Sequence, residues 1–217
     1  MSAMPTGRVE MFSDTLIYKG GIIMIPIILG SIVALAIVIN RVYYFLSIRT
    51  DVDSFIERIY YLLRKNDVTQ ALVECSKIKH PIGKVFHTGL ENINKDRTSI
   101  EKVMERSGIL AVAEAERYML LLVVTIGVMP MVGFLGTIIG LITSFMAWEL
   151  AGADVTVDFL AGGIYQAMIT TAAALIVAIP YYVIYHIMLG RIDNIARELN
   201  LYGEELLEVI QDTREVR

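Results

Sequence analysis

Two long segments without a single charged residue constrain this chain more than any other feature. Residues 118–148 and 159–185 contain no Asp, Glu, Lys or Arg. Each exceeds the roughly 20 residues that a helix needs to cross a hydrocarbon core of about 30 Å. A third apolar run covers residues 20–39 and ends at Asn40 and Arg41. We therefore expect an all-α membrane protein with three transmembrane helices, in agreement with its 55% apolar composition and mean hydropathy of +0.59.

The basic residues predict how the chain crosses the membrane, because loops rich in Lys and Arg stay in the cytoplasm. Residues 47–116 carry eleven Lys and Arg, and the tail after the third span carries four. The loop at 149–158 has none and contributes three acidic residues, while only two basic residues precede the first span. These counts predict an external N-terminus and a cytoplasmic C-terminus.

This topology divides the chain into seven segments, three of them in the membrane. We expect an external interfacial helix at 1–19, a first span at 20–46, a cytoplasmic helical loop at 47–116, a second span at 117–148, an external acidic loop at 149–158, a third span at 159–188 and a cytoplasmic C-terminal helix at 189–217.

The cytoplasmic loop carries the patterns of packed helices. Apolar residues at 52–63 recur at spacings of three and four, as an amphipathic helix requires. Asp67 with Gln70 resembles a capping box that opens a second helix, and Pro81 opens a third.

The two inner spans are predicted to extend into the cytoplasm. Thr98 with Glu101 is expected to cap a helix that runs from Ser99 to Trp148 without a stop. Those 50 residues would form a rod of about 75 Å, more than twice the hydrocarbon thickness. The third span likewise continues an apolar stripe beyond Arg191. The long helices and the loop helices are therefore expected to form a cytoplasmic bundle.

Small and hydroxyl-bearing residues recur at helical spacing on both uncharged segments. The second span presents Gly133, Thr137, Gly140 and Ser144, and the third presents Gly163, Ala167, Thr171, Ala174 and Ala178, with Gln166 and Thr170 beside them. One interpretation is close helix packing, with the threonine hydroxyls bonded to the preceding turn. The other is a polar surface that faces an ion path or a partner. An amide such as Gln166, if buried, needs partners or water, which favours the second interpretation.

Several functions are excluded or disfavoured by composition. There is no dense basic face for nucleic acid. Cys75 is the only cysteine, so one chain holds no disulfide framework, and we expect its side chain to be buried in a helix. The sequence shows no metal-ligand cluster, no paired nucleophile and base, and no phosphate loop, so we expect neither an enzyme nor a cofactor.

Two sequence runs carry a family resemblance. VGFLGTIIGLITSF at 132–145 and GIYQAMITTAAALIVAIP at 163–180 resemble the second and third spans of the MotA/TolQ/ExbB proton-channel family. Lys19, followed by two glycines, and a first span that closes on Arg41 are similar to ExbB and TolQ. Three spans with an external N-terminus favour the ExbB/TolQ branch over the four-span flagellar stators.

The resemblance implies a stator subunit of a motor in the bacterial inner membrane. Five such chains would form a ring around a dimer of an ExbD/TolR-like single-span partner, whose intramembrane Asp takes up and releases the proton. The flow would drive work on a periplasmic or outer-membrane load, such as TonB-dependent transport through a TonB/TolA-like protein. From the residues alone, neither inner span holds a carboxylate, so a titrating group there must come from another chain.

Site residues follow from the matching positions. The resemblance implies ion-path roles for Thr137 and Thr171, with Thr170 nearby, and a pore-lining or partner-facing surface formed by Gly133, Gly140, Ser144, Gln166, Ala167 and Ala174. Two positions depart from the family, which often has Glu where this chain has Gln166 and Glu-Arg where it has Asn40-Arg41. A sodium-driven or gliding-type motor and a non-conducting oligomeric scaffold therefore stay open as alternatives.

Overall fold

The computed structural model describes residues 20–151 and 157–215, and every regular element in them is helical. A short 3-10 turn, Gly21–Ile23, precedes seven helices: α1 Met24–Ser47, α2 Val52–Arg64, α3 Val68–Lys77, α4 Pro81–Glu91, α5 Arg97–Ala115, α6 Met119–Ala151 and α7 Val157–Glu215. The predicted interfacial helix at 1–19 and residues 152–156 of the predicted acidic loop at 149–158 lie outside the described residues.

Within the described residues, three stretches are long and apolar enough to cross a membrane, which supports the predicted multi-pass membrane protein. They are Gly21–Ser47, Arg97–Leu150 and Ala161–Thr213. Pro130 lies inside α6 and Pro180 inside α7. The helix α7 continues without interruption from the third apolar segment into the C-terminal region, as its periodicity predicted.

The chain divides into two compact units. Unit 1 consists of Met1–Val38, as far as it is described, and Met119–Tyr185, and unit 2 of Ile39–Tyr118 and His186–Arg217.

Unit 1 has a thin core and an apolar outside. Met24 and Ile27 of α1 pack with Ala173 and Ala174 of α7 in one buried cluster. Large apolar side chains such as Leu120 of α6, which is 77% exposed, cover the outer faces of the helices. An apolar surface of this extent matches lipid rather than water as the surrounding medium.

Unit 2 is built around large apolar side chains. Those that are completely enclosed include Ile59, Leu63, Ile82, Phe86, Leu90, Ile100, Ile192, Leu206 and Ile210. They come from α2, α4, α5 and the C-terminal part of α7, which belong to one compact unit. The cytoplasmic bundle stays a prediction.

Acidic caps begin three of the four loop helices. The side chains of Asp51 and Asp67 accept from the backbone N–H groups of Ser54 and Gln70, at 3.4 and 3.0 Å. The predicted cap at Asp67 is thus confirmed, although the Gln70 amide bonds to Glu74 and does not close the box.

The predicted cap at Thr98 is wrong. Asp96 caps α5, because its extended backbone precedes the helix and its carboxylate accepts from the Ser99 N–H at 3.0 Å. Thr98 already lies in the first helical turn.

The predicted uninterrupted rod from Ser99 to Trp148 is also wrong. The helix α5 ends at Ala115 and α6 begins at Met119. Between them Tyr118 has a φ of 68°, a left-handed conformation that a continuous helix excludes. No Gly or Pro marks this break in the sequence, and its stabilisation comes from a distant residue, Arg41, described below.

Candidate ion-path site on the two uncharged segments

Glycines on α6 allow its backbone to approach α7 closely. A Cβ at Gly133 would lie 2.6 Å from the Cβ of Ala174 and 3.1 Å from the carbonyl oxygen of Thr170. A Cβ at Gly140 would lie 2.8 Å from the Cβ of Ala167. Atoms cannot approach so closely without displacement, so the small residues at these positions are required by the packing. The two small-residue stripes predicted from sequence therefore face each other within one chain.

Three threonine hydroxyls meet at this contact, and we call Thr137, Thr170 and Thr171 the threonine cluster. The oxygens of Thr137 and Thr171 lie 2.5 Å apart, in a hydrogen bond between the helices. Thr171 and Thr170 donate to the carbonyl oxygen of Gly133 at 2.9 and 3.2 Å. Thr137 also reaches the carbonyl oxygen of Ala167, at 3.2 Å. Hydroxyls that bond only to the preceding turn would make none of these contacts between helices.

Burial separates the predicted site residues into two groups. Ala167 and Ala174 are 1% and 0% exposed, and Thr170 is 2% exposed, so α6 and α7 enclose them within one chain. Thr137 and Thr171 are only partly buried. The close-packing interpretation accounts for the enclosed residues. The ion-path role stays a prediction, and Thr137 and Thr171 are the two residues of the cluster that keep exposed surface in the single chain.

Two further predicted positions lie toward the other end of the contact. Ser144 is 6% exposed and donates to the carbonyl oxygen of Gly140 at 2.8 Å, so its hydroxyl is satisfied by its own helix. Gln166 is exposed in the single chain, and its pore-lining or partner-facing role stays a prediction. Its side-chain nitrogen lies beside Gly21, where the Cβ of any other residue would be 2.8 Å away. Gly21 also has a φ of 66°, which favours glycine.

Chemically, the threonine cluster can donate and accept hydrogen bonds but cannot ionise near neutral pH. The uncharged segments around it contain no Asp, Glu, Lys or Arg. The cluster can therefore bind a protonated or hydrated group, but it cannot carry a proton by titration.

Sequence reasoning missed a buried charge of unit 2 that is held by several hydrogen bonds. Arg41, noted only as the end of the first span, is 6% exposed. Its guanidinium donates to the carbonyl oxygens of Glu114 and Ala115 at 3.0 and 3.4 Å, and to the side-chain oxygen of Asn40 at 2.8 Å. These carbonyls belong to the last turn of α5, where the helix dipole is negative, and that of Glu114 also accepts from the Arg117 N–H at 3.3 Å.

Aromatic rings complete the surroundings of Arg41. Its guanidinium carbon lies 4.8 Å from the centre of the Tyr44 ring and 5.7 Å from that of Tyr118. Arg41 therefore stabilises the break between α5 and α6 by contacting both the last carbonyls of α5 and the left-handed Tyr118. Only its position after an apolar run could have drawn attention to it, because its partners lie 73 and 74 residues away.

The single cysteine is confirmed as a buried apolar side chain. Cys75 is 2% exposed, and burial raises the pKa of its thiol to about 12. A thiol in this environment stays protonated and unreactive at neutral pH.

The sequence model of the MotA/TolQ/ExbB proton channel family matches residues 77–200. This range includes α4, α5, the threonine cluster and the glycines at which α6 approaches α7. The chain belongs to this family. A curated relative, the putative biopolymer transport protein ExbB homolog of Methanothermobacter thermautotrophicus, is 30% identical to this chain over 186 residues. That alignment covers 85% of this chain and 64% of the relative, so the chain spans less than two thirds of that protein.

Two further relatives agree on the branch. A putative biopolymer transport protein ExbB-like 3 of Synechocystis is 27% identical over 161 residues, covering 74% of this chain and 77% of the relative. Biopolymer transport protein exbB1 of Vibrio cholerae is 44% identical over 60 residues, covering 27% of this chain and 26% of the relative. The predicted resemblance to the ExbB branch of the MotA/TolQ/ExbB family is confirmed.

Proposed function

We propose that this chain is the stator subunit of an ion-driven motor that serves biopolymer transport. Several copies of the chain surround an ExbD/TolR-like single-span partner in the inner membrane. By analogy with the family, the number of copies is five. Ion flow past the threonine cluster drives motion that a TonB/TolA-like protein carries to its load. The names of the relatives and the family's description as a proton channel support the transport part of this proposal.

The observation that carries the proposal is the hydroxyl pair of Thr137 and Thr171. These side chains bond to each other between the segments 118–148 and 159–185, which have no charged residue, and both residues are only partly buried while Thr170, Ala167 and Ala174 are enclosed. A carboxyl group on a partner helix would find there a donor and an acceptor that hold its protonated or ionised form without competing for the proton.

The non-conducting scaffold is a second candidate, and the close packing of the two helices favours it. Ala167 and Ala174 are enclosed by one chain, so small residues at these positions need no partner to explain them. In a scaffold, the hydroxyl pair would only join the two helices.

Ion flux separates these functions. The chain is reconstituted in liposomes with the single-span partner, and pH changes inside the vesicles are followed under an imposed gradient. Thr137→Val and Thr171→Val keep the side-chain volume and remove the hydroxyl. Each should lower the flux about tenfold, which corresponds to one lost hydrogen bond of about 1.4 kcal/mol in the rate-limiting state.

Thr143→Val is the matched control. Thr143 lies on the same helix, but its hydroxyl donates only to the carbonyl oxygens of Ile139 and Gly140 in that helix. It should conduct like the wild type. Equal flux in all three variants, with equal expression, would contradict the ion-path role. The absence of flux in the wild-type complex would favour the scaffold.

The ion itself is tested in the same vesicles. Gln166 stands where the family often has Glu. A neutral amide can hydrogen-bond to the water around a hydrated cation or to a protonated group, so it does not select between sodium and protons. Proton-driven function predicts flux that is independent of sodium. Flux that follows the sodium gradient at constant pH would assign a sodium-driven motor.

A further inference from the structure

A cavity of about 490 Å³ lies in unit 2 and contains no residue of the threonine cluster. An inference about this cavity does not depend on the proposed function. The end of α1, the loop between α3 and α4, the first half of α4 and the last turns of α5 form its walls. Its lining includes Tyr44, Ser76, Lys79, Lys84, Thr88 and Glu114. The cavity is large enough for a phosphate group and the few atoms esterified to it.

Two lysines give this cavity a positive charge. Lys79 and Lys84 lie on either side of Pro81, and both are exposed. Neither forms an ion pair with any residue in the described parts of the chain. Glu114 is the only carboxylate among the described lining residues, so the lining carries two lysines and one carboxylate, and Glu198 lies 3.6 Å from the ring of His80. His87 also lines the cavity, and Nδ1 of its ring lies 3.5 Å from the carboxylate of Glu91.

The start of α4 does not itself supply donors for a ligand. The N–H of Ile82 donates to Nδ1 of His80, and the N–H of Gly83 donates to the His80 carbonyl oxygen. Burial lowers the pKa of His80, which agrees with a neutral ring that accepts this bond. Recognition of an anion in the cavity must therefore come from the lysine side chains.

The position of Tyr44 relates the cavity to the membrane. This residue lies three positions before the end of α1, in the tyrosine pair that follows the first apolar run. Tyrosines at such positions are typical of the headgroup level. Apolar lining residues such as Ile78 and Ala111 lie next to the lysines, which suits a headgroup with its first methylene groups.

We propose that this cavity binds the phosphate group of an anionic ligand through Lys79 and Lys84. Anionic phospholipid headgroups and soluble phosphate esters share this chemistry, and the membrane level of Tyr44 favours the lipid. Bound lipid would fill the space between the end of the first span and the helices α3 to α5.

Native mass spectrometry of the full-length chain tests the proposal with three probes. These are phosphatidylglycerol, phosphatidylcholine and glycerol 1-phosphate. The wild type should retain phosphatidylglycerol in preference to phosphatidylcholine. The double variant Lys79→Gln with Lys84→Gln should weaken this binding about 25-fold, since each lysine near an anionic group contributes about fivefold. Retention of glycerol 1-phosphate with the same dependence on the lysines would assign a soluble ester as the ligand.

A second double variant controls for general attraction to anionic lipid. Lys65→Gln with Lys102→Gln removes the same two charges from exposed positions that do not line the cavity. It should retain phosphatidylglycerol like the wild type. All four lysines are exposed, so both variants should keep the helical circular dichroism of the wild type. Equal losses in the two double variants, or no preferential retention by the wild type, would overturn the proposal.

Discussion

The two units of this chain solve the problem of helix packing in opposite ways. In unit 1, α6 and α7 meet through glycines and alanines, and Gly133 leaves no room for even one methyl group against Ala174. In unit 2, completely buried side chains such as Phe86 and Ile59 fill the space between helices. Lipid tails are as apolar as the side chains, so helices in lipid gain little from burying large apolar groups and associate through close backbone contact instead. In water, the area removed from solvent supplies the stabilisation.

Polar groups show the same contrast. The threonine cluster of unit 1 bonds to backbone carbonyls and to itself. In unit 2, side chains far apart in sequence bond to each other. Tyr60 donates to Glu205 at 3.2 Å, and Tyr202 donates to Asp53 at 2.6 Å. Ionised acceptors are tolerated where water reaches their edges, and the uncharged segments contain none.

The largest expected effect is the loss of volume in unit 2. Ile59 is 0% exposed, and Ile59→Ala should lower the local free energy of unfolding by about 2–5 kcal/mol, as for other large-to-small changes in water-exposed domains. Hydrogen exchange of α2 and α4 in the purified chain measures this change. Ile109→Ala is the control, because Ile109 is 63% exposed in the middle of α5. If both variants lost the same free energy of unfolding, burial of large side chains would not explain the stability of unit 2, and the contrast with unit 1 would fail.

The next effect is the gain of volume in unit 1. Gly133→Ala adds one methyl group, which must displace α7, and overpacking of this kind costs about 1–3 kcal/mol. Thermal stability in detergent should fall, and ion flux should fall with it because Gly133 also accepts from Thr170 and Thr171. Gly127→Ala is the matched control on the same helix, where an added Cβ meets nothing within 4 Å. If Gly133→Ala were as stable as Gly127→Ala, the close contact would not be what holds α6 to α7.

Much of this architecture follows from local sequence signals. Three uncharged or apolar runs predicted the spans, and the spacing of apolar residues at 52–63 predicted α2. These signals are local because lipid solubility and amphipathic periodicity depend on neighbouring residues. The break at Tyr118 could not be predicted in this way. Its stabilising partner, Arg41, is 73 residues or more from the carbonyls that it binds.

The candidate site was predicted in its members but not in its arrangement. Periodicity placed Gly133, Thr137 and Thr171 on the correct helix faces. It could not decide whether those faces meet each other or enclose a third helix, because small residues serve both purposes. The contacts show that they meet within one chain. Spacing along one helix also does not reveal what the neighbouring helix covers, as at Gln166, which is exposed in the single chain.

The smallest expected effect is a pH dependence that belongs to unit 2. Glu74 is 8% exposed, and a hydrogen bond from Lys77 at 2.7 Å holds the pKa of its carboxyl group below the usual 4.5, with a further contribution from the charge of Arg58. A lowered pKa in the folded state means that the ionised form stabilises the fold. This stabilisation is fully present above about pH 4.5 and is lost as the pH falls through the lowered pKa.

Thermal unfolding of the wild type and of Glu74→Gln, recorded between pH 7 and pH 3, isolates that contribution. The variant should be less stable than the wild type at pH 7, and the difference should shrink below pH 4.5 as Glu74 takes up a proton. Glu57→Gln is the control, because it changes an exposed glutamate of α2. The change in melting temperature between pH 7 and pH 3 should be the same in this variant as in the wild type. Melting of the uncharged segments of unit 1, followed separately by hydrogen exchange in α6, should not respond to Glu74 at all. A response there of the same size would mean that the two units unfold together, and the contrast in how they are packed would then not extend to how they are stabilised.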